Sequence, residues 1–423
     1  MDNSEVTLEE RLLSVNEAIE RILDEFKPVE IKKVPIEDAG GLILAKDLIA
    51  PVDLPRFADS SMDGFALRAE DVRSASREIP IKLQVIADVP AGTYFEGKVG
   101  PGQAARVMTG GVLPNGADAV VPVEFTDFDY RSPGLSAPAT VCIFKPVGIG
   151  DNVRKCGQDI WRGQLIISAG SVLRPQDIGM LATLGQSLID VYKKPQIGLL
   201  STGDEIVTLG EELLIGKIYD SNGYTLAALV DQAGGEAIRL GIAPDTVSEI
   251  RRCLDRAVEM KVDLIVSSAG VSVGAFDFVR SVVEEYGRIT FWRVNMRPGK
   301  PLAFGNYRGI PIVGLPGNPV SAFVGFEVFV YPIMTKLRGL AEWQRPVQRV
   351  VLEQAITSDG RESYFRSIVN QKRGKLYARL TGHQGSGNLY SLVQANALLI
   401  VPSEVKSLPV GAEIDAWIFS TAW

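Results

Sequence analysis

Residues 196–207, QIGLLSTGDEIV, form an apolar run that ends abruptly in a polar turn, Ser201-Thr202-Gly203-Asp204-Glu205. The same figure recurs downstream. VDLIVSSAG (262–270) and IPIVGLPGNPVSAF (310–323) are again apolar runs closing on small and polar residues. Between them lie stretches of helical periodicity: YDSNGYTLAALVDQAGG (219–235), TVSEIRRCLDRAVEM (246–260) and FDFVRSVVEEYG (276–287), with AIRLGIAPD (237–245) as a further strand. Apolar strands alternating with helices predict a parallel sheet covered on both faces. Asp220, Ser221 or Asn222 would cap the first helix.

Outward from this region the rhythm changes. Residues 7–26 place Leu8, Leu12, Val15, Ile19, Ile22 and Leu23 at helical spacing, with Ser14 and Glu17 as a weak capping box inside the pattern. Residues 31–50 read as a short strand, a turn at Gly40-Gly41 and more helix. From 51 to 158 the apolar runs are short and punctuated by Gly and Pro, as in IKLQVIADV (81–89) and ATVCIFKPV (139–147), which predicts a β-rich insertion. SAGSVLRPQDIGMLATLG (168–185) predicts a helix opened by Pro175 and closed by Gly185. Residues 345–423 are strand-rich again and read as a small β-barrel, a sandwich being the alternative. The fold class is therefore α/β plus β in four parts. They are 1–50 with 159–193 (N-terminal, mixed), 51–158 (inserted, β-rich), 194–340 (parallel α/β) and 345–423 (C-terminal, β).

Composition narrows the function. The chain has 423 residues, 46% hydrophobic and 22% charged, with a net charge of −7. That is ordinary globular material with no basic field for nucleic acid. The single histidine, His383, excludes an HExxH zinc site, and it reads as a surface or hydrogen-bonded residue. There is no G-x-S-x-G nucleophile elbow. Cys142, Cys156 and Cys253 are too scattered for a disulfide framework, which suits a reducing cytosol. The acidic N-terminus has no signal-peptide core. The apolar stretch from Val320 to Met334 contains Glu327 and Pro332 and is too short to span a bilayer. A cytoplasmic protein with no membrane or nucleic-acid partner is expected.

In an open α/β sheet, ligands bind beyond the carboxyl ends of the strands. Ser201 to Glu205, Asp245, the Ser267–Gly274 segment and Leu315 to Ser321 all fall there. Glycine beside Ser or Thr at a helix start suits phosphate, and Asp204, Glu205, Asp245 and Asp277 are candidate Mg²⁺ ligands. Arg297-Pro298-Gly299-Lys300-Pro301 pairs a forked donor with a point charge, fit for an oxyanion. Each motif alone also reads blandly: capped turns at 201–205 and 315–321, a hairpin with solvated charges at 297–301, an Asp-Gly turn at Asp63.

Taken together, ten pieces resemble one family over essentially the whole chain. They are DSSMDGFAL (59–67), RVMTGGVLPNGADAVVPVE (106–124), NVRKCGQDI (152–160), LLSTGDEIV (199–207), IYDSN (218–222), SSAGVSVGAFDF (267–278), RPGKPLAFG (297–305), GLPGNPVSAF (314–323), GRESYFR (360–366), and GSGNLYSL with ANALLIVP (385–402). The sequence resembles the molybdopterin molybdenumtransferases, the family of bacterial MoeA and the gephyrin E domain. The resemblance implies insertion of molybdenum from molybdate, or of tungsten, into adenylylated molybdopterin with release of AMP, assisted by Mg²⁺ or another divalent cation. It makes 194–340 a molybdopterin-binding domain.

Residue by residue, the resemblance implies that Asp204, Glu205, Asp245 and Asp277 hold metal and pterin phosphate. Ser201, Thr202, Gly203, Asp220, Gly270, Ser272, Gly274, Gly317 and Asn318 would face the substrate. Arg297, Lys300, Pro301, Ser321, Arg361 and Ser386 would form the molybdate pocket. Asp63, Thr109, Arg154 and Asp159 match functional positions of the insertion and, with Glu205 and Asp245, are the catalytic candidates. In this family the insertion reaches a partner's cleft, so a homodimer is implied, with the adenylyltransferase and molybdoenzymes as further partners. The chain departs from the family pattern at Ser268-Ala269, where two glycines are usual, at Ala275, often an acid, at Arg297, more often Lys, and at Gln158, commonly Glu. The alternatives are a non-catalytic dimeric scaffold and the adenylyltransferase that makes the precursor.

Overall fold

The computed structural model describes residues 12–128, 136–269, 275–340, 342 and 344–419. The chain forms two compact units. One comprises the residues up to Lys46, Ala169–Ile178 and everything from Ser187 onward; the other comprises Asp47–Ser168 with Gly179–Gln186.

The larger unit is built on a six-stranded sheet whose order is 236–243, 196–202, 264–269, 310–316, 301–307, 287–293. The first four strands are parallel, as their apolar runs predict, and the last two extend the sheet as antiparallel neighbours. Successive strand residues point to opposite faces. Accordingly Leu199, Leu264, Val266, Val313 and Leu315 pack with the helices Ser221–Gln232 and Pro319–Gly325. Leu200, Ile265 and Ile312 pack on the opposite face with Val247–Glu259 and Ala275–Tyr286.

The N-terminal helix is Val15–Asp24, and Ser14 caps it with Glu17 in a reciprocal capping box. The box lies at the start of this helix; residues 7–11 of the expected helix, Leu8 included, lie outside the described residues. The expectation of more helix before residue 50 is corrected. There Leu48–Ile49 is a short strand paired with Leu165–Ile167, and the Leu44 N–H donates to the Ser171 carbonyl at 2.9 Å. Backbone groups committed to distant partners cannot close helical turns. Ile31–Pro35 pairs antiparallel with Leu188–Tyr192. Pro175 opens the helix Pro175–Thr183, and Gly185, at φ 73°, stands just beyond its end.

The C-terminal strands close into a five-stranded barrel: Glu362–Lys372, Lys375–Leu380, Gln348–Leu352, Glu413–Ile418 and Ala397–Val401, with the last pairing back onto the first. In the smaller unit a five-stranded sheet orders 119–122, 64–67, 103–107, 81–89 and 140–143 around Phe65, Leu67, Leu83 and Val121.

Pro319 to Leu337 is a continuous helical run with a π-helical turn, Phe326–Val330. It is long and apolar enough to cross a membrane, but 83% of it is buried inside the protein, so it is a core helix. Glu327 lies in that turn, 3% exposed, ion-paired to Arg345, whose guanidinium stacks on Tyr331 at 3.7 Å. Burial pushes the Glu327 carboxyl up, against the pull of Arg345. Breaking a buried pair strands its other charge, so Arg345→Met should destabilise the larger unit by about 3–5 kcal/mol, and adding Glu327→Leu should recover most of that loss. Denaturant midpoints of the two variants check this; equal midpoints would refute it.

Candidate functional site

Three clusters of predicted residues emerge, two in the larger unit and one in the smaller. The first lies along the edge where the parallel strands end. Gly203, at φ 145°, turns the chain out of the first strand, and a Cβ there would sit 2.6 Å from the Glu205 carboxylate. The Asp204 carboxylate accepts the Asp245 backbone N–H at 3.0 Å, tying the ends of two neighbouring strands together. Asp245 is half-buried, and one of its carboxylate oxygens is buried with no hydrogen bond. Burial, then Asp204, then Glu205 push its pKa up. A buried orphan oxygen held against two like charges is electrostatically suited to a cation.

Of the four carboxylates expected at a metal, Asp204, Glu205 and Asp245 fall among the described residues. Among the described residues no group of three or more His, Cys, Asp or Glu is placed to hold a metal. Asp204 is turned toward backbone, and the Asp277 side chain lies outside the described residues, as do Gly270, Ser272 and Gly274. What remains suits Mg²⁺ in its usual form, with one or two carboxylates and the other positions left to phosphate and water.

Asp220 is the helix cap rather than an open ligand group. Its carboxylate accepts the Gly223 N–H at 2.8 Å and the Ser201 hydroxyl at 3.0 Å, with Arg239 at 3.4 Å. Thr202 Oγ1, next to Ser201, and Ser267 Oγ, on the neighbouring strand opposite Leu200, are buried without hydrogen-bond partners among the described residues. Asn222 donates to the Gly317 carbonyl at 2.7 Å, linking two helix starts.

The second cluster is a cavity of about 420 Å³ between the 297–301 turn, the start of the helix at Pro319, and the barrel. It is lined by Arg297, Lys300, Pro301, Ser321, Arg361 and Ser386, the residues of the pocket that the resemblance implies, and by Asn318. Asn318 donates to the Ser386 hydroxyl at 3.0 Å, and the Val320 N–H donates to the Ser386 carbonyl at 3.1 Å, so the barrel loop is fastened to the helix start. Arg361 donates to Asp359 and to the Met296 carbonyl, and Arg297 approaches Asp359 at 3.6 Å. Arg361 above all, with Arg297, holds the Asp359 carboxyl below its ordinary value.

Sequence reasoning missed Arg366, which also lines this cavity and is 1% exposed. Its guanidinium donates to Ser391 Oγ at 3.1 Å and to the Gly385 carbonyl at 3.0 Å, and no carboxylate pairs with it among the described residues. Burial, then repulsion from Arg297, brings its pKa down to about 10. Four cations thus line the cavity, and Asp359 beside it is the carboxylate that answers them. Charge-assisted, forked donors of this kind select oxyanions.

The third cluster lies in the smaller unit. The Thr109 N–H and hydroxyl both donate to Asp63 Oδ1, at 2.7 and 2.8 Å. Arg154 forms a two-pronged bond to Asp59, which the sequence list had not included. Asp159 is exposed, its N–H donating to the Leu54 carbonyl.

Comparison with known proteins agrees with this organisation. The chain matches the MoeA N-terminal region (domain I and II) over residues 13–185, the probable molybdopterin binding domain over 201–336, and the MoeA C-terminal region (domain IV) over 349–419. It is 36% identical to "Molybdopterin molybdenumtransferase 2" of Mycobacterium tuberculosis, covering 91% of this chain and 94% of that protein. It is 34% identical to the molybdopterin molybdenumtransferase of Bacillus subtilis, covering 95% and 93%. A crystal structure of the molybdopterin biosynthesis MoeA protein from Pyrococcus horikoshii OT3 superposes with a TM-score of 0.79 at 30% identity, covering 96% of this chain and all of that one. The order of regions, the identities and the full-length superposition place this chain in the molybdopterin molybdenumtransferase (MoeA) family.

Proposed function

We propose that this chain inserts molybdenum, delivered as molybdate, into adenylylated molybdopterin and releases AMP, as a transferase of molybdenum cofactor biosynthesis. The observation that carries the reading is the cavity with four basic side chains, Arg297, Lys300, Arg361 and Arg366. A tetrahedral dianion supplies the charge that this cavity lacks. The turns at the ends of the parallel strands would take the pterin phosphate, with Asp245 and one neighbouring carboxylate, Asp204 or Glu205, holding Mg²⁺. A bound divalent ion supplies Lewis acidity and orients phosphate oxygens. The protein's own part is to hold the oxyanion between Arg297, Lys300 and Arg361, to orient it through Ser321 and Ser386, and to keep the Asp245 oxygen free of other partners. The residues of the smaller unit, Asp63, Thr109, Arg154 and Asp159, belong to the same reading, which also includes a homodimer, a cytoplasmic location and the four-part domain division.

The test is reconstitution from purified chain, adenylylated molybdopterin, Mg²⁺ and molybdate or tungstate, following AMP release and activation of a cofactor-free acceptor enzyme. Molybdate-dependent AMP release is expected. Asp245→Ala and Arg361→Gln should each lower its rate by about 100-fold or more, the scale of losing a preorganised charge contact. Stable folded protein with no AMP release would shift the reading to a scaffold. ATP consumption with free molybdopterin would shift it to the adenylyltransferase.

A pH prediction follows from Asp359. Its folded-state pKa is depressed from an ordinary 3.8, so its ion pairs stabilise the fold above that value, and the contribution is lost as pH falls through the lower folded pKa. The difference in unfolding midpoint between the natural chain and Asp359→Asn should therefore be constant from pH 7 to about 5 and shrink below about pH 4. A difference that grows on acidification would contradict the assignment.

A further inference from the structure

The pairing of Arg154 with Asp59 has a role that neither the ten motifs nor the family match assigns. Strand Asp59–Ser60 runs antiparallel to Val153–Arg154, with Asp59 directly opposite Arg154. The Asp59 carboxylate takes Nε at 2.7 Å and Nη2 at 2.9 Å. Asp59 is 9% exposed, whereas the Arg154 side chain is 41% exposed. One edge of the guanidinium, Nε and Nη2, is thus locked. Nη1 has no partner among the described residues and remains the group available to a ligand.

The next residue, Ser60, carries the neighbouring turn through its backbone. The Gly110 N–H donates to the Ser60 carbonyl at 2.8 Å, and the Ser60 N–H donates to the Gly111 carbonyl at 3.0 Å. That turn presents Thr109 to Asp63 Oδ1, and the second Asp63 oxygen is unbonded among the described residues. The Asp59 side chain therefore fixes Arg154, and the adjoining Ser60 backbone fixes the turn of the Asp63–Thr109 pair.

We infer that Asp59 is the positioning residue of this cluster: it fixes the direction of the Arg154 guanidinium and cancels its net charge, so that Arg154 serves as an oriented donor rather than a free cation. The inference rests on the reading that Arg154 belongs to the functional site. A free arginine attracts any anion, but a compensated one discriminates by geometry. Orientation acts on the chemical step, whereas uncompensated charge acts on binding.

The experiment measures molybdate-dependent AMP release by the full-length chain across substrate and NaCl concentrations, for Asp59→Asn, Asp59→Glu, Arg154→Gln and the Asp59→Asn/Arg154→Gln double variant. Asp59→Asn should lower kcat by about tenfold, a modest fraction of what misplacing a contact can cost. It should also leave KM for the anionic pterin unchanged or lower, and steepen its rise with salt, because an unpaired cation is screened. Asp59→Glu should restore the shallow salt dependence, and the double variant should be no slower than Arg154→Gln alone. A purely structural role for Asp59 would lower the unfolding midpoint and kcat without changing the salt dependence. That result, or an additive double variant, overturns the inference alone. Natural kcat in Arg154→Gln overturns the site reading as well.

Discussion

Four parallel strands end level, and the candidate site of the larger unit depends on that register. Thr202 lies opposite Ala243 on one side and Ala269 on the other, and Ala269 lies opposite Pro316. The chain leaves all four strands at one height. The turns that follow carry Asp204, Asp245 and Asn318, residues far apart in sequence, to a single sheet edge. A slip of one residue would turn each strand's apolar set from one face to the other. Burial on both faces forbids this, because Leu199 and Leu200 serve different cores. The packing that stabilises the sheet is therefore the same packing that aligns the polar turns.

On that edge the protein sustains two opposite electrostatic imbalances. Asp204, Glu205 and Asp245 gather negative charge around a buried, unbonded oxygen. Arg297, Lys300, Arg361 and Arg366 gather positive charge around a cavity, with a buried guanidinium, Arg366, that has no acid for a partner among the described residues. Neither cluster is predicted by the overall charge of −7. Isolated buried charge is costly, and proteins usually pair it internally, as Glu327 is paired with Arg345. Where pairing is incomplete, a ligand completes it.

Much of this was legible in the sequence, for a physical reason. The alternation of apolar strands and helices, the cap at Asp220, the Pro175 helix start and the turns at 201–205, 297–301 and 316–321 are local signals, written within a dozen residues. Long-range closure erased other signals. Arg366 shares a strand face with Tyr364, opposite to the face on which Phe365 and Val369 build the barrel core. It is buried because the 385–391 segment, distant in sequence, supplies Gly385 and Ser391 as its partners. Asp59 was hidden similarly, since its partner lies 95 residues away. The segment before residue 50 was misread as helix because its hydrogen bonds go to residues 165–173 and 190, which no local pattern reveals. Asp277 is a metal candidate by its place at the strand ends and by family resemblance, and its side chain lies outside the described residues.

The two imbalances also constrain the kind of ligand that fits. A simple oxyanion satisfies the basic cavity but leaves the Asp245 oxygen unanswered. A divalent ion alone satisfies the carboxylates but does nothing for Arg366. On the function proposed above, an anionic ligand brought in with a divalent cation would meet both needs, the cation toward the carboxylates and the anion toward the arginines. Each charge would then have a partner of opposite sign, which would offset the desolvation cost of the buried members. The Asp245 oxygen is held without a hydrogen bond for the same reason that the strands are held level. The packed cores on both sides of the sheet leave these residues no alternative place to go.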